Sequence, residues 1–334
     1  AVGDFDADQD LDVAWVEDDQ LHWALLDGGR RVTGSGSLTV PARAKLEAGD
    51  INGDGRDDLA VIEPFGGQVT PYLSTGNNFT AGAAVSIVQG AYDSSAMADL
   101  SGNGRADLAV VAYDGTGVQL FYGQANGTFT TSAPTAFAER LSGVLALDYD
   151  GDGDTDLVTG QRQLFDQFPL QGGLWFRGND GSGNFTGHRY LSTDGDGIPR
   201  SAGDVHGTGQ DALLARMGNI NRLVVWDSDL GRLKYDVRFN VTDLVKDTID
   251  SDGDGTRDLI GGTSIYTNNG DGTFTGFRGL PTDTASDDIS LADLDRDGRL
   301  DVVVHNLYDL SVYRNLGARR FGAETRVRMG SRPY

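Results

Sequence analysis

The sequence predicts an all-β protein assembled from seven consecutive four-stranded units. Three observations predict it: a nine-residue acidic pattern that recurs along the chain, short β-prone runs at fixed offsets around each copy, and abundant turn residues with no sustained helical period. Gly accounts for 48 of 334 residues and Pro for 8, with no Gly-x-y period, so the glycines read as turn formers. Length agrees. A single hydrophobic core stops growing near about 250–300 residues, so a longer chain is several domains or an array of units. An array is expected, as one domain over residues 1–334 with units starting near 1, 44, 94, 142, 200, 244 and 287.

The acidic pattern justifies the repeat. Its first copy places Asp4, Asp6, Asp8, Asp10 and Asp12 at positions one, three, five, seven and nine. The second places Asp50, Asn52, Asp54, Arg56 and Asp58 there, and the third Asp99, Ser101, Asn103, Arg105 and Asp107. The fourth has Asp148, Asp150, Asp152, Asp154 and Asp156. The sixth has Asp250, Asp252, Asp254, Thr256 and Asp258, and the seventh Asp293, Asp295, Asp297, Arg299 and Asp301. The fifth is worn, with His206 and Thr208 at positions three and five and Ala212 at nine. Position six is Gly in every copy except the first, which has Gln9. The copies recur roughly every 48 residues, too regularly for chance.

Each copy sits in the same surroundings. A short apolar stretch precedes it. A β-prone run follows at 59–62, 108–112, 157–159 or 302–304. A third run comes at 118–122, 174–176, 223–226 or 310–313. Then a turn ends in Phe79, Phe129, Phe185, Phe274 or Phe321, and a fourth extended stretch closes the unit. Four short strands in about 45 residues, split by turn residues, are the mark of a propeller blade.

These motifs resemble the FG-GAP or VCBS repeat, the blade unit of the integrin α-chain propeller and of many secreted microbial proteins. The resemblance covers essentially the whole chain. It implies a seven-bladed β-propeller with four antiparallel strands per blade and a calcium loop between the first and second strands. It leaves function open, because a propeller scaffold hosts many roles.

The loop chemistry is legible without the resemblance. Side chains at alternate positions of a tight loop turn inward, so positions one, three, five and nine converge. Position seven adds a backbone carbonyl, its side chain being free to vary. The Gly at position six takes a sharp turn. An all-oxygen, carboxylate-rich set selects Ca2+ over Zn2+ and Mg2+. Asp-Gly pairs are also ordinary hairpin formers. Four carboxylates within a few Å, however, repel one another and shift toward protonation unless a cation joins them. About six Ca2+ are expected in a structural role, with the fifth loop, from Asp204 to Ala212, empty for want of a closing carboxylate.

Composition excludes several functions. Asp plus Glu number 50 against 27 Lys plus Arg, a formal charge of −23, which opposes binding to nucleic acid and to anionic lipid. No apolar run reaches the ~18 residues of a membrane span, so no insertion is expected. There is no Cys, hence no disulfide and no thiolate chemistry. No Gly-x-Ser-x-Gly elbow, P-loop or His-Glu-x-x-His motif is present, and no His pair has metal-ligand spacing.

The reading is therefore an extracellular or cell-surface, microbial binding module for carbohydrate or a protein partner, as in adhesion proteins and lectins. Two alternatives stay open: a polysaccharide lyase or hydrolase, and a structural subunit of a surface layer or filament. Trp175 and Arg177, beside the loose insert 161–173, are the candidate ligand contacts, since sugar rings stack on aromatics next to polar groups. Trp23, Trp175 and Trp226 all fall on expected third strands, where the plainer expectation is packing between blades. Sequons stand at Asn78, Asn126, Asn184 and Asn240. The chain opens at Ala1, so it is expected to be part of a larger chain or assembly, with its two ends side by side.

Overall fold

The computed structural model describes the chain outside residues 28–30, 64–66, 89–90, 113–114, 116, 134, 137–139, 162–171, 194–196, 204–211, 218–219, 228–231, 240–244, 250–255, 262–263, 271–273, 280–287, 296, 298, 306–308, 318–319 and 329–334. The described residues form strands and no helix. Two compact units are distinguished, one comprising Ala1–Ala146 with Gly153–Ile198, the other Leu147–Asp152 with Pro199–Tyr334.

The strands form antiparallel sheets of four, each in simple sequence order. Sheet one has Val2–Gly3, Asp12–Glu17, Gln20–Leu26 and Val32–Thr39. Sheet two has Lys45–Gly49, Asp58–Glu63, Gln68–Ser74 and Phe79–Ala81, with Val85–Ser86 added to its third strand. Sheet three has Ala91–Ala98, Asp107–Ala112, Gly117–Gly123 and Phe129–Thr131, with Thr135–Ala136 added likewise. Sheet four has Leu141–Leu147, Asp156–Gln161, Gly172–Asn179 and Phe185–Thr193. Sheet five has Gly197–Gly203, Ala212–Met217, Ile220–Asp227 and Arg232–Phe239. Sheet six has Val245–Ile249, Asp258–Gly261, Ser264–Asn268 and Phe274–Gly279; sheet seven has Asp288–Ala292, Asp301–His305, Asp309–Tyr313 and Thr325–Arg328.

In the first unit the sheets pack face to face in chain order. Ala14, Leu21, Trp23 and Leu25 of sheet one bury against Leu59, Val61, Tyr72 and Phe79 of sheet two. Ala60, Ile62 and Val69 on the other side of sheet two bury against Leu108, Val110, Phe121 and Phe129 of sheet three. Ala109, Val111, Val118 and Leu120 of sheet three meet Leu141, Val144 and Leu157 of sheet four. A strand between two neighbours is thus apolar on both sides, which is why Asp107–Ala112 is buried throughout. The Phe that ends the turn motif is an anchor of this packing. Phe79 lies edge-on to Phe5 at 5.2 Å and to Trp23 at 5.3 Å, and Phe121 meets Phe129 at 6.1 Å. In the second unit, Ile260 and Ile265 of sheet six share a core with Val302, Val304 and Tyr313 of sheet seven.

Candidate metal centres

Each acidic loop lies between the first two strands of its sheet, and in loops one to four the backbone is bent by two left-handed residues. Position six is left-handed at Gly55 (φ 86°), Gly104 (φ 78°) and Gly153 (φ 94°), and also at Gln9 (φ 72°) where the glycine is missing. Position four is left-handed too, at Gly53, Gly102, Gly151 and Ala7. The position-one carboxylate holds the bend from inside. Asp50 accepts from the N–H groups of Gly53 (2.7 Å), Asp54 (3.1 Å) and Gly55 (2.8 Å). Asp99 accepts from Asn103 (3.0 Å) and Gly104 (2.7 Å), and Asp4 from Gln9 (2.9 Å).

Position nine locks the loop to its sheet. Asp12, Asp58, Asp107, Asp156, Asp258 and Asp301 are each 0% exposed. One oxygen of Asp58 accepts from Ile51 N–H (3.2 Å) and the other from Ser74 N–H at the end of the third strand (2.8 Å). Asp12 does the same with Phe5 and Leu26, Asp107 with Leu100 and Gly123, and Asp301 with Leu294 and Asn315. Burial, joined by the charges of neighbouring loop carboxylates, pushes the Asp12 and Asp58 carboxyls up to about 7.

Positions three and five divide the loops. Asp4, Asp6 and Asp8 each offer an oxygen within 4.8 Å of the others, as do Asp148, Asp150 and Asp156, and Asp293, Asp295 and Asp297. Asp4 Oδ1 and Asp150 Oδ1 are buried and have no hydrogen-bond partner. Burial first, then the adjacent Asp8 charge, raises the Asp6 carboxyl; burial and then Asp152 do so for Asp150. These are the features of a site for a hard cation: oxygen donors only, like charges gathered, and a buried lone pair unused. The residues present therefore fit Ca2+.

Loops two and three are closed differently. Asn52 Nδ2 donates to Asp54 Oδ2 (3.1 Å), and Asn103 Nδ2 donates to Ser101 Oγ (2.6 Å). The position-seven side chain, which sequence reasoning left free, is an arginine clamp in these loops and in loop seven. Arg56, Arg105 and Arg299 donate through Nε to the carbonyls of Ser74 (3.4 Å), Gly123 (2.8 Å) and Asn315 (3.2 Å), each at or just past the end of the third strand. Arg56 also bonds Asp54, and Arg299 bonds Asp297. Loop seven has a second arginine, Arg314, paired with Asp295 and 3.6 Å from Asp297.

The loops are also linked from sheet to sheet. Asp57 N–H donates to the Asp4 carbonyl and Ala106 N–H to the Asp50 carbonyl, both at 2.8 Å. Ser74 Oγ donates to the Phe5 carbonyl (2.5 Å), and Asn179 Nδ2 to the Leu100 carbonyl (2.9 Å).

Trp175 lies on sheet four directly across from Tyr190, ring centroids 4.7 Å apart, and its Nε1 donates to Gln161 Oε1 (3.2 Å). Arg177 is 2% exposed; it sits 5.5 Å from the Trp175 ring centre, with Nε donating to Thr159 Oγ1 (3.1 Å). Tyr190 is 39% exposed, so it presents more surface than either predicted contact. Asn78, Asn126 and Asn184 are exposed. Asp250, Asp252 and Asp254, the fifth loop up to Asp211, most of the 161–173 insert and Asn240 fall outside the described residues; Thr256 is half-buried.

The FG-GAP-like repeat pattern matches at residues 4–61, 50–110, 99–159 and 248–304, together more than half of the chain. The chain belongs to the FG-GAP-like repeat family. Among curated proteins none matches the sequence. Solved structures do match the fold. A lectin from Agrocybe aegerita, studied for its specific recognition of non-reducing terminal N-acetylglucosamine, has a TM-score of 0.68 at 16% identity, covering 94% of this chain and 89% of that chain. The Dos1 propeller has a TM-score of 0.56 at 12% identity, covering 94% and 82%. BBS1N, solved in complex with ARL6DN, has a TM-score of 0.59 at 9% identity, covering 91% and 87%. The fold is thus that of β-propeller proteins.

Proposed function

We propose that the chain is a seven-bladed, calcium-stabilised β-propeller acting outside the cell, or at the surface of a microbial cell, as a binding module for carbohydrate or a protein partner. The observation that carries the proposal is the acidic loop. Its position-one and position-nine carboxylates hold the backbone of the loop and its own sheet together, while Asp4, Asp6 and Asp8 bring oxygens within 4.8 Å of one another and Asp4 Oδ1 is buried without a hydrogen-bond partner. Such an element is scaffold, repeated from sheet to sheet, whereas a reaction centre is usually single. Asp4, Asp6, Asp8 and Asp12 would hold the first ion, and the equivalent residues of loops two, three, four, six and seven the others, with loop five empty. Bound Ca2+ supplies positive charge that lets neighbouring carboxylates stay ionised. All-oxygen loops of extracellular modules bind Ca2+ in the range of about 10⁻⁴–10⁻³ M.

Support for a binding role is the likeness to a lectin studied for its recognition of N-acetylglucosamine and to BBS1N, which was solved in complex with ARL6DN. Carbohydrate is the first choice of ligand. The test is a thermal melt in Ca2+ and in EDTA, followed by a glycan array probed with the Ca2+-loaded chain. A melting temperature lowered by EDTA, with glycan-specific retention, is expected. An unchanged melt would sink the calcium scaffold, and a blank array would turn the search to protein partners.

A further inference from the structure

Asp57 occupies position eight of loop two, between the residues that would supply a carbonyl (Arg56) and a carboxylate (Asp58) to an ion there. It grips loop one from two sides. Its N–H donates to the Asp4 carbonyl (2.8 Å), and its Oδ2 accepts from the Asp4 N–H (3.0 Å). The close approach is built in: a Cβ on Gly3 would come within 2.8 Å of Asp57 Oδ2, so only glycine leaves the carboxylate room. The next junction has half of this link. Ala106 N–H donates to the Asp50 carbonyl, but Ala106 has no side-chain acceptor to return the bond.

We infer that Asp57 is a positioning residue that couples cation binding at loop one to cation binding at loop two. The inference rests on the calcium reading above. With a cation held by loop one, the Asp4 carboxylate would be fixed as a ligand, and the peptide groups on either side of Asp4 would be fixed with it. Those groups hold position eight of loop two, and with it the Arg56 carbonyl and the Asp58 carboxylate, which is itself tied to Ile51 and Ser74. Filling one loop therefore pre-arranges the other, and linkage makes the effect reciprocal.

The experiment is calcium binding to the full chain by equilibrium dialysis and calorimetry, with loop one disabled by Asp6→Ala. With Asp57 in place, Asp6→Ala is expected to remove one ion and to weaken a second site about fivefold or more. In an Asp57→Ala background the same change removes one ion and leaves the other affinities within about twofold, because the returned bond is gone. Asp57→Asn, which keeps an acceptor oxygen, restores the coupling. Loss of one ion by Asp6→Ala with no second site weakened, Asp57 intact, overturns the inference without any Asp57 variant being needed. A chain that binds no calcium at all overturns the proposed function instead.

Discussion

Loops one and three share a backbone path yet are neutralised in different ways. Loop one carries Asp6 and Asp8 at positions three and five, with a buried Asp4 oxygen left without a hydrogen-bond partner. Loop three carries Ser101 and Asn103 there, which bond each other at 2.6 Å, and Arg105 clamps the loop to Gly123. The loop shape is thus set by the carboxylates at positions one and nine. Positions three, five and seven set how much of the loop's negative charge the chain itself offsets and how much is left for a cation to balance.

The largest test of this contrast is removal of calcium. At ten times its Kd each ion adds about 1.4 kcal/mol, so stripping several should cost about 4–8 kcal/mol, read as a fall in melting temperature. In the stripped protein the pH dependence should run opposite to common acid denaturation. Asp12 and Asp58 titrate near 7 when folded against an ordinary 3.8, so the folded state binds protons more tightly than the unfolded. Their contribution is fully present below pH about 4 and is lost as pH rises through about 7, so the metal-free melt should improve on mild acidification. A metal-free melt that worsens steadily from pH 7 to 5 contradicts the assignment.

Next in size is Asp58→Ala. It strands two backbone donors in a buried site, which should cost about 2–4 kcal/mol in urea unfolding whether or not calcium is present. A loss seen only with calcium would make position nine a ligand alone. The direct comparison then follows: Asp6→Ala should cost about 1–2 kcal/mol in calcium and little in EDTA, whereas Ser101→Ala should stay within about 0.5 kcal/mol in both. Equal losses would erase the distinction between the two loops. The smallest change is Gln9→Gly. It relieves a side chain held at φ 72° and should stabilise by up to about 1 kcal/mol, seen as a small rise in melting temperature.

Much of this architecture was legible because it is local. The run 59–62 lies within the strand Asp58–Glu63, and 108–112 within Asp107–Ala112. The turn before Phe79 and the packing role of Trp23 could be read from turn residues and strand periodicity. Two local signals were passed over. Glycine recurs at position four, where the backbone is as left-handed as at position six, and arginine recurs at position seven, where it reaches the end of the third strand. The rest required the neighbouring sheet. Nothing within one repeat says that Asp57 meets Asp4, or that Asn179 reaches the Leu100 carbonyl. Arg177 shows the same limit: two residues from Trp175 it reads as a ligand contact, but cross-strand pairing sets it opposite Leu157, where it is 2% exposed, lies against the Trp175 ring and donates to the diagonal Thr159.

The sheet-to-sheet bonds have a polarity. At each junction named above, the earlier loop offers a carbonyl and the later unit brings a donor: Asp57 to Asp4, Ala106 to Asp50, Asn179 to Leu100, with one bond returned the other way, from the Asp4 N–H to Asp57. Among the first four sheets the connectors are of two kinds, position eight to a position-one carbonyl and the end of the third strand to a position-two carbonyl, so a sheet between two neighbours carries a plug on one side and a socket on the other. A duplicated stretch of gene arrives with both connectors already cut to shape, so the array can lengthen or shorten by a whole unit without inventing a new junction.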